Sequence, residues 1–240
     1  MISNVYLAEF LGAAFLVFLG DGVVANCLLN KSAFKAVDPP IFITIGWGLA
    51  LALPVCLFAN ISGAHLNPSL SIGLAITGQM EWGVCWGYVL AQMLGGFVGA
   101  VFMWIAFLDQ FDGTDDPGTI KACFCTAPAV RNYPVNLIEE ILITFSLVFI
   151  VLGFGHTGMG YGVNYILVFF LLTSIGMSFG GITAYGLNPC RDLAPRIAHA
   201  ILPIKGKGKS DWAYSWVPVV GSLIGAILGA WIFKIFPWGA

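Results

Sequence analysis

Two stretches of this sequence carry polar residues in a pattern that can handle a small molecule. They are Ser62-Gly63-Ala64-His65-Leu66-Asn67-Pro68-Ser69 and Thr183-Ala184-Tyr185-Gly186-Leu187-Asn188-Pro189-Cys190-Arg191-Asp192. Asparagine is a preferred helix N-cap, its side-chain oxygen accepting an orphan amide of the first turn. Proline at the first helical position gives up an N–H that has no intrahelical partner there. Asn67-Pro68 and Asn188-Pro189 therefore read as helix starts. The runs they open, 68–77 and 189–202, are too short to cross a bilayer, which takes about 20 apolar residues. Each reads as a re-entrant half-helix with its amino terminus aimed into the membrane. Two such termini place two partial positive charges at the midplane. The Asn67 and Asn188 oxygens serve as caps, so their amide N–H groups can donate to a passing hydroxyl or water, whereas a cation is repelled.

Other charged residues sit where charge is expensive. Arg191 is a lone cation in an apolar setting, and such residues face a cavity or a partner; pairing with Asp192 or another acid is the alternative to a place in a pore. Asp192 also suits the first turn of a helix. Glu9 and Glu140 are intramembrane carboxylates, open to a proton-coupled or a supporting role, and Glu139 reads as interfacial or paired. Pro195 should release a carbonyl and bend the second half-helix. Cys27, Cys56, Cys85 and Cys190 fall in apolar runs as small buried thiols. Cys123 and Cys125 have a Cys-x-Cys spacing with no histidine nearby, too few ligands for a metal, and their pairing stays open. No nucleophile–base arrangement is visible, so the sequence calls for no enzyme, no cofactor and no metal.

The elements that must position these residues are membrane spans. The chain has 240 residues, 59% hydrophobic and 9% charged, where a soluble domain carries about 25% charged residues. Mean hydropathy is +0.91. With a formal net charge of −2 and sparse basic residues, nothing points to a nucleic-acid partner. The start, Met1-Ile2-Ser3-Asn4, lacks a basic leader region, so the first apolar run is expected to be a retained span. Runs at 5–28, 41–61, 83–108, 135–154, 161–179 and 214–236 are long enough to cross. The halves repeat: Glu9 matches Glu140 at an offset of 131 (9 to 140), and the Asn-Pro pairs match at 121 (67 to 188). Ala91, Gly95 and Gly99 match Gly221, Gly225 and Gly229 at 130 (91 to 221), rows that let helices pack closely. Three spans per half is an odd number, so the second half inserts upside down. The sequence thus predicts one all-α membrane domain over 1–240. It has six transmembrane helices and two re-entrant half-helices in inverted repeats of about 1–108 and 135–240, joined by a loop at 109–134.

The doubled Asn-Pro loops, with Arg191-Asp192 after the second, resemble the major intrinsic protein (aquaporin) family, and within it the glycerol-facilitator (aquaglyceroporin) branch. The likeness runs over nearly the whole chain. It implies a passive channel for glycerol, water and related small uncharged solutes that excludes ions and protons. It also implies a homotetramer in the lipid bilayer of the cell membrane, with a pore in each subunit and both termini cytoplasmic. By resemblance, Trp47, Gly176, Tyr185 and Arg191 form the outer selectivity filter, Gly176 leaving room where strict water channels commonly carry histidine. Trp47 read by itself is equally a packing residue. The carbonyls of Gly63, Ala64, His65 and Leu66, and of Ala184, Tyr185, Gly186 and Leu187, would face the pore opposite apolar side chains, which suits a polyol. Glu9 and Glu140 would accept backbone N–H bonds from the two loops, and His65 would lie at the inner mouth. Three positions depart from the family pattern. Ser69 and Cys190 replace the usual alanines, making Cys190 a thiol-reagent target, and Tyr185 replaces the phenylalanine common in glycerol facilitators.

Other readings stay open at this level. One is a channel tuned to urea, dihydroxyacetone or undissociated lactic acid, or mainly to water. Another is a secondary transporter using Glu9 and Glu140. The orientation is also contested. With the amino terminus inside, Lys31, Lys35, Lys121, Arg131, Lys205, Lys207 and Lys209 lie outside and only Lys234 lies within, against the positive-inside rule.

Overall fold

A computed structural model describes residues 2–35, 39–158 and 162–238. Among them are ten α-helices and no strand: α1 (Ile2–Leu28), α2 (Pro39–Ser62), α3 (Pro68–Ile76), α4 (Trp82–Ala106), α5 (Leu108–Asp112), α6 (Pro117–Ala122), α7 (Tyr133–Gly153), α8 (Val163–Thr183), α9 (Pro189–Ile201) and α10 (Trp216–Ile235). Helices α1, α2, α4, α7, α8 and α10 are long and apolar enough to cross a membrane, and α3 and α9 are the two half-helices.

Most boundaries lie within three residues of the sequence reading, and two differences are larger. The fifth span was expected to start at Tyr161, which lies outside the described residues; its helix runs from Val163 past 179 to Thr183. Gly180 and Gly181 do not stop it, because the terminator is Ala184, whose left-handed backbone (φ 63°) ends the helical path. The connection at 109–134, read as a loop, holds α5 and α6. Asp116 caps α6 by accepting the Thr119 N–H at 2.7 Å, with Pro117 at the first helical position. Those hydrogen bonds hold the exposed Asp116 carboxyl below its usual range.

Close packing of the spans follows the small-residue rows. A Cβ on Gly95 would lie 2.2 Å from the Phe10 carbonyl oxygen and one on Gly99 2.4 Å from that of Ala14. In the second half, Gly225 stands in the same relation to Ile141 (2.4 Å) and Gly229 to Phe145 (2.9 Å). Helices α1 and α4 thus meet backbone to backbone, as do α7 and α10. The half-helices cross over. Gly73 of α3 lies against Ala226 of α10, and Gly96 of α4 against Cys190 of α9, so each half-helix docks on the last span of the other half.

Polarity is distributed inside out. Leu53, Leu57, Leu90, Phe102 and Phe170 are exposed, whereas Glu9, Gln92, Glu140, Asp192 and Arg196 are fully buried. Such an outer surface is made for an apolar surrounding, and buried polar groups of this kind must find partners inside the bundle.

Candidate functional site

Each half-helix starts at a loop bent by the same device. Gly63, Ala64 and Leu66 have positive φ (83°, 46° and 48°), and so do Ala184, Tyr185 and Leu187 (63°, 41° and 57°). The left-handed region costs an ordinary L-residue about 1–2 kcal/mol, so something must hold these turns. Buried carboxylates do. Glu9 accepts the Ser62 hydroxyl (2.6 Å) and the backbone N–H groups of His65 (3.0 Å) and Leu66 (2.8 Å). Glu140 accepts the Thr183 hydroxyl (2.7 Å) and the N–H groups of Gly186 (2.8 Å) and Leu187 (2.9 Å). The Thr183 oxygen also lies 2.6 Å from Glu139, which is buried beside it. Gln92 reinforces the first loop by donating to Glu9 at 2.7 Å.

The asparagines join the two halves. Asn67 caps α3 by accepting the Ser69 N–H (2.9 Å), and Asn188 caps α9 by accepting that of Cys190 (2.9 Å). The Asn67 amide donates to the Leu187 carbonyl at 3.0 Å, and the Asn188 amide to the Leu66 carbonyl at 2.8 Å. An amide nitrogen carries two hydrogens, so each asparagine retains one N–H for the lumen. Pro68 and Pro189 occupy the first helical positions and are buried.

Two cavities meet at this core. One of about 280 Å³ is lined by Gly63, Ala64, His65, Asn67, Gly186, Leu187 and Asn188, facing apolar Leu16, Leu51 and Val55. The other, about 890 Å³, is lined by Thr44, Lys121, Gly176 and Ala184. Trp47, Tyr185 and Arg191 line both. The Arg191 guanidinium lies 3.9 Å from the centre of the Trp47 ring and 5.8 Å from that of Tyr185. The Trp47 Nε1 and the Tyr185 hydroxyl are buried without a hydrogen-bond partner among the described residues. Where the two cavities meet, the walls are therefore aromatic and carry donors not spent on the protein among the described residues.

The sequence profile of the major intrinsic proteins matches residues 2–233. The chain belongs to this family. Among curated relatives, the probable glycerol uptake facilitator protein of Thermotoga maritima is 53% identical over 235 residues, covering 96% of this chain and 100% of the relative. Glycerol uptake facilitator protein 3 of Lactiplantibacillus plantarum is 47% identical over 232 residues, 96% of each chain. The X-ray structure of the aquaglyceroporin from Plasmodium falciparum superposes with a TM-score of 0.81 at 27% identity, covering 98% of this chain and 96% of that one. The aquaporin-like fold and a channel rather than an enzyme follow.

In this major intrinsic protein several residues stand differently from what the sequence suggests. The Leu66 carbonyl, expected to face the pore, accepts the Asn188 amide and Leu66 lines neither cavity, whereas Leu187, whose carbonyl accepts the Asn67 amide, lines the smaller one. Cys190 is not at the lumen either: it is fully buried, with its Sγ 3.2 Å from the Leu66 carbonyl. Ser69 turns away to the Ser222 hydroxyl at 2.8 Å. His65, by contrast, lines the smaller cavity, its ring 3.0 Å from the Ser71 hydroxyl and edge-on against Tyr88. Asp192 does not pair with Arg191. It takes Arg196 at 2.7 Å and the Thr126 N–H at 2.8 Å, while Arg196 donates to the Ser210 carbonyl at 2.7 Å. That buried ion pair anchors two connecting loops to α9. The acid within ion-pair reach of Arg191 is instead Asp21, 3.9 Å away.

Ser62 and Thr183 lie in the two conspicuous stretches, yet their tethering role is plain only in three dimensions. Their spacing of 121 (62 to 183), the same as that of the asparagines, is the signal that marks them as a pair. Gln92 falls opposite Ser222 at 130 (92 to 222), a different residue type, and Asp21 has no polar repeat partner at all.

Proposed function

We propose that this chain is a passive pore for glycerol, water and related small uncharged solutes, with Trp47, Gly176, Tyr185 and Arg191 as its filter. The observation that carries the reading is the pair of cavities meeting at Trp47, Tyr185 and Arg191. A linear polyol presents hydroxyls along one edge and C–H groups along the other. Loop carbonyls and asparagine N–H groups serve the first edge, and Leu16, Leu51 and Val55 the second. A water at the asparagines accepts from both N–H groups, so both its lone pairs are spent and it can accept no hydrogen bond from a neighbour in the file, which interrupts proton hopping. The half-helix amino termini repel cations at the same point. Glu9 and Glu140 spend their oxygens on the loops, which favours support over proton coupling.

Both termini are cytoplasmic in this reading, and two of the basic residues that oppose it, Lys207 and Arg131, have local partners, as does Lys234 on the cytoplasmic side. Lys207 donates to the Ala200 and Leu202 carbonyls (2.7 and 2.6 Å) at the carboxyl end of α9. Lys234 donates to the Thr77 carbonyl (2.6 Å) at the end of α3. Each serves as a C-cap to one half-helix dipole, and Arg131 is paired with Asp211. A homotetramer with a pore in each subunit completes the proposal, on the strength of the family resemblance.

The test is stopped-flow light scattering on proteoliposomes, comparing an inward glycerol gradient with an impermeant osmolyte. Fast, non-saturating reswelling in glycerol is expected. Fast shrinkage with no reswelling would instead make this a water channel in a glycerol-facilitator frame.

A further inference from the structure

Arg191 and Asp21 both break the internal repeat. Taking the offsets of the loops (121) and of the spans (131), their counterparts are Leu70 and Leu152, so neither charge recurs in the other half. Yet the fold brings the two together at one place. Asp21, on α1, is 1% exposed, and its Oδ2 has no hydrogen-bond partner among the described residues. Gly20 beside it has no room for a side chain, since a Cβ would meet the Trp47 ring at 2.2 Å. The backbone of α1 therefore sits directly against the aromatic wall on which the Arg191 guanidinium stacks.

The charge balance around the pore makes this acid conspicuous. Each half-helix amino terminus carries about half a positive charge, and each has its own carboxylate, Glu9 or Glu140, bonded to the preceding loop. Arg196 has Asp192. Arg191 adds a full positive charge at the constriction, in low-dielectric surroundings where a focused potential concentrates counter-ions. Such a site would gather small anions. Among the described residues, Asp21 is the acid in ion-pair reach of Arg191, and 3.9 Å is too long for a direct hydrogen bond. Ionised, Asp21 would offset that charge while the guanidinium keeps its donors for the lumen.

We propose that Asp21 is a specificity-determining residue: its carboxylate balances the Arg191 charge and thereby keeps small inorganic anions out of a pore that must still hydrogen-bond neutral hydroxyls. This rests on the reading of Trp47, Tyr185 and Arg191 as the constriction. The substrate class excluded is a monovalent anion small enough to pass wherever glycerol passes.

The experiment is potential-driven chloride efflux from proteoliposomes, run beside glycerol reswelling on the same preparations. Chloride has no neutral form at neutral pH, so its flux reports ion passage alone. Asp21→Asn removes the charge and keeps the shape. It should raise chloride efflux about ten-fold or more, the scale on which focused potentials change local ion concentrations, while glycerol flux stays within about two-fold. Asp21→Glu should resemble the unsubstituted protein, and adding Arg191→Val to Asp21→Asn should abolish the chloride rise. Asp21→Ser is the second neutral variant should the asparagine form fail to fold. A glycerol-conducting neutral variant that still excludes chloride overturns the proposal. Unsubstituted protein that is folded but passes no glycerol overturns the pore reading instead.

Discussion

At Gly176 the proposed filter has little room for a side chain. A Cβ there would lie 2.8 Å from Thr44 Cγ2 and 3.1 Å from Tyr185 Cζ, so a side chain must either enter the outer cavity or push the tyrosine inward. Gly176→His is expected to cut glycerol reswelling about ten-fold or more and to slow osmotic water flux much less, since a pocket discriminates by size before it closes. Equal loss of both fluxes would count against Gly176 as a filter position. Cys190 gives the opposite lesson. Its type and place beside Pro189 mark it as a thiol-reagent target, but the side chain is fully buried against the Leu66 carbonyl and reaches neither cavity. Mercurials are therefore expected to leave glycerol flux unchanged on the timescale of the assay, and a rapid inhibition that Cys190→Ser removes would refute that burial. Residue types at the site were legible from the sequence; the directions of side chains were not, because direction depends on the left-handed turns at Leu66 and Leu187.

At the scale of elements, each loop and half-helix is held by one carboxylate, and removing it should fail in a recognisable way. Glu9 receives two backbone N–H groups, a hydroxyl and the Gln92 amide. In Glu9→Gln one acceptor oxygen becomes a donor facing donors, leaving at least one buried N–H unpaired at a cost of about 1–3 kcal/mol. The strain at Ala64 and Leu66 then loses part of its restraint. A lower thermal midpoint in detergent and a parallel fall in water and glycerol flux are expected, for Glu140→Gln as well. A variant that folds with unchanged stability but loses a counter-ion dependence would favour a transporter. The half-helices themselves were visible from Asn-Pro and run length, and the spans from hydropathy. What composition could not supply was the content of the connection: α6 forms because Asp116 and Pro117 cap six residues, a local signal too brief to stand out within 109–134.

The whole molecule is more than two halves joined in series. Helix α3 docks on α10 and α9 on α4, and each asparagine amide reaches across to the other loop. Neither half can therefore bury its own half-helix or satisfy its own loop carbonyl at the midplane, where unpaired polar groups cost several kcal/mol each. The physical unit is the intertwined pair, although the repeat in the sequence invites a division at 109–134. Cutting the chain between Val130 and Arg131, both exposed, leaves fragments that each contain three spans and one half-helix. Expressed alone, neither fragment should yield a glycerol-conducting species. Expressed together they should assemble through the glycine faces and the crossed half-helices and restore reswelling in proteoliposomes. Conduction by a single fragment would show that one half closes a pore without the other, and the exchange of half-helices would lose its functional meaning. If the co-expressed pair stays inactive although both fragments insert, the covalent connection must contribute more than tethering. The Thr126–Asp192 and Arg196–Ser210 contacts that bind the connecting loops to α9 would then be the place to look.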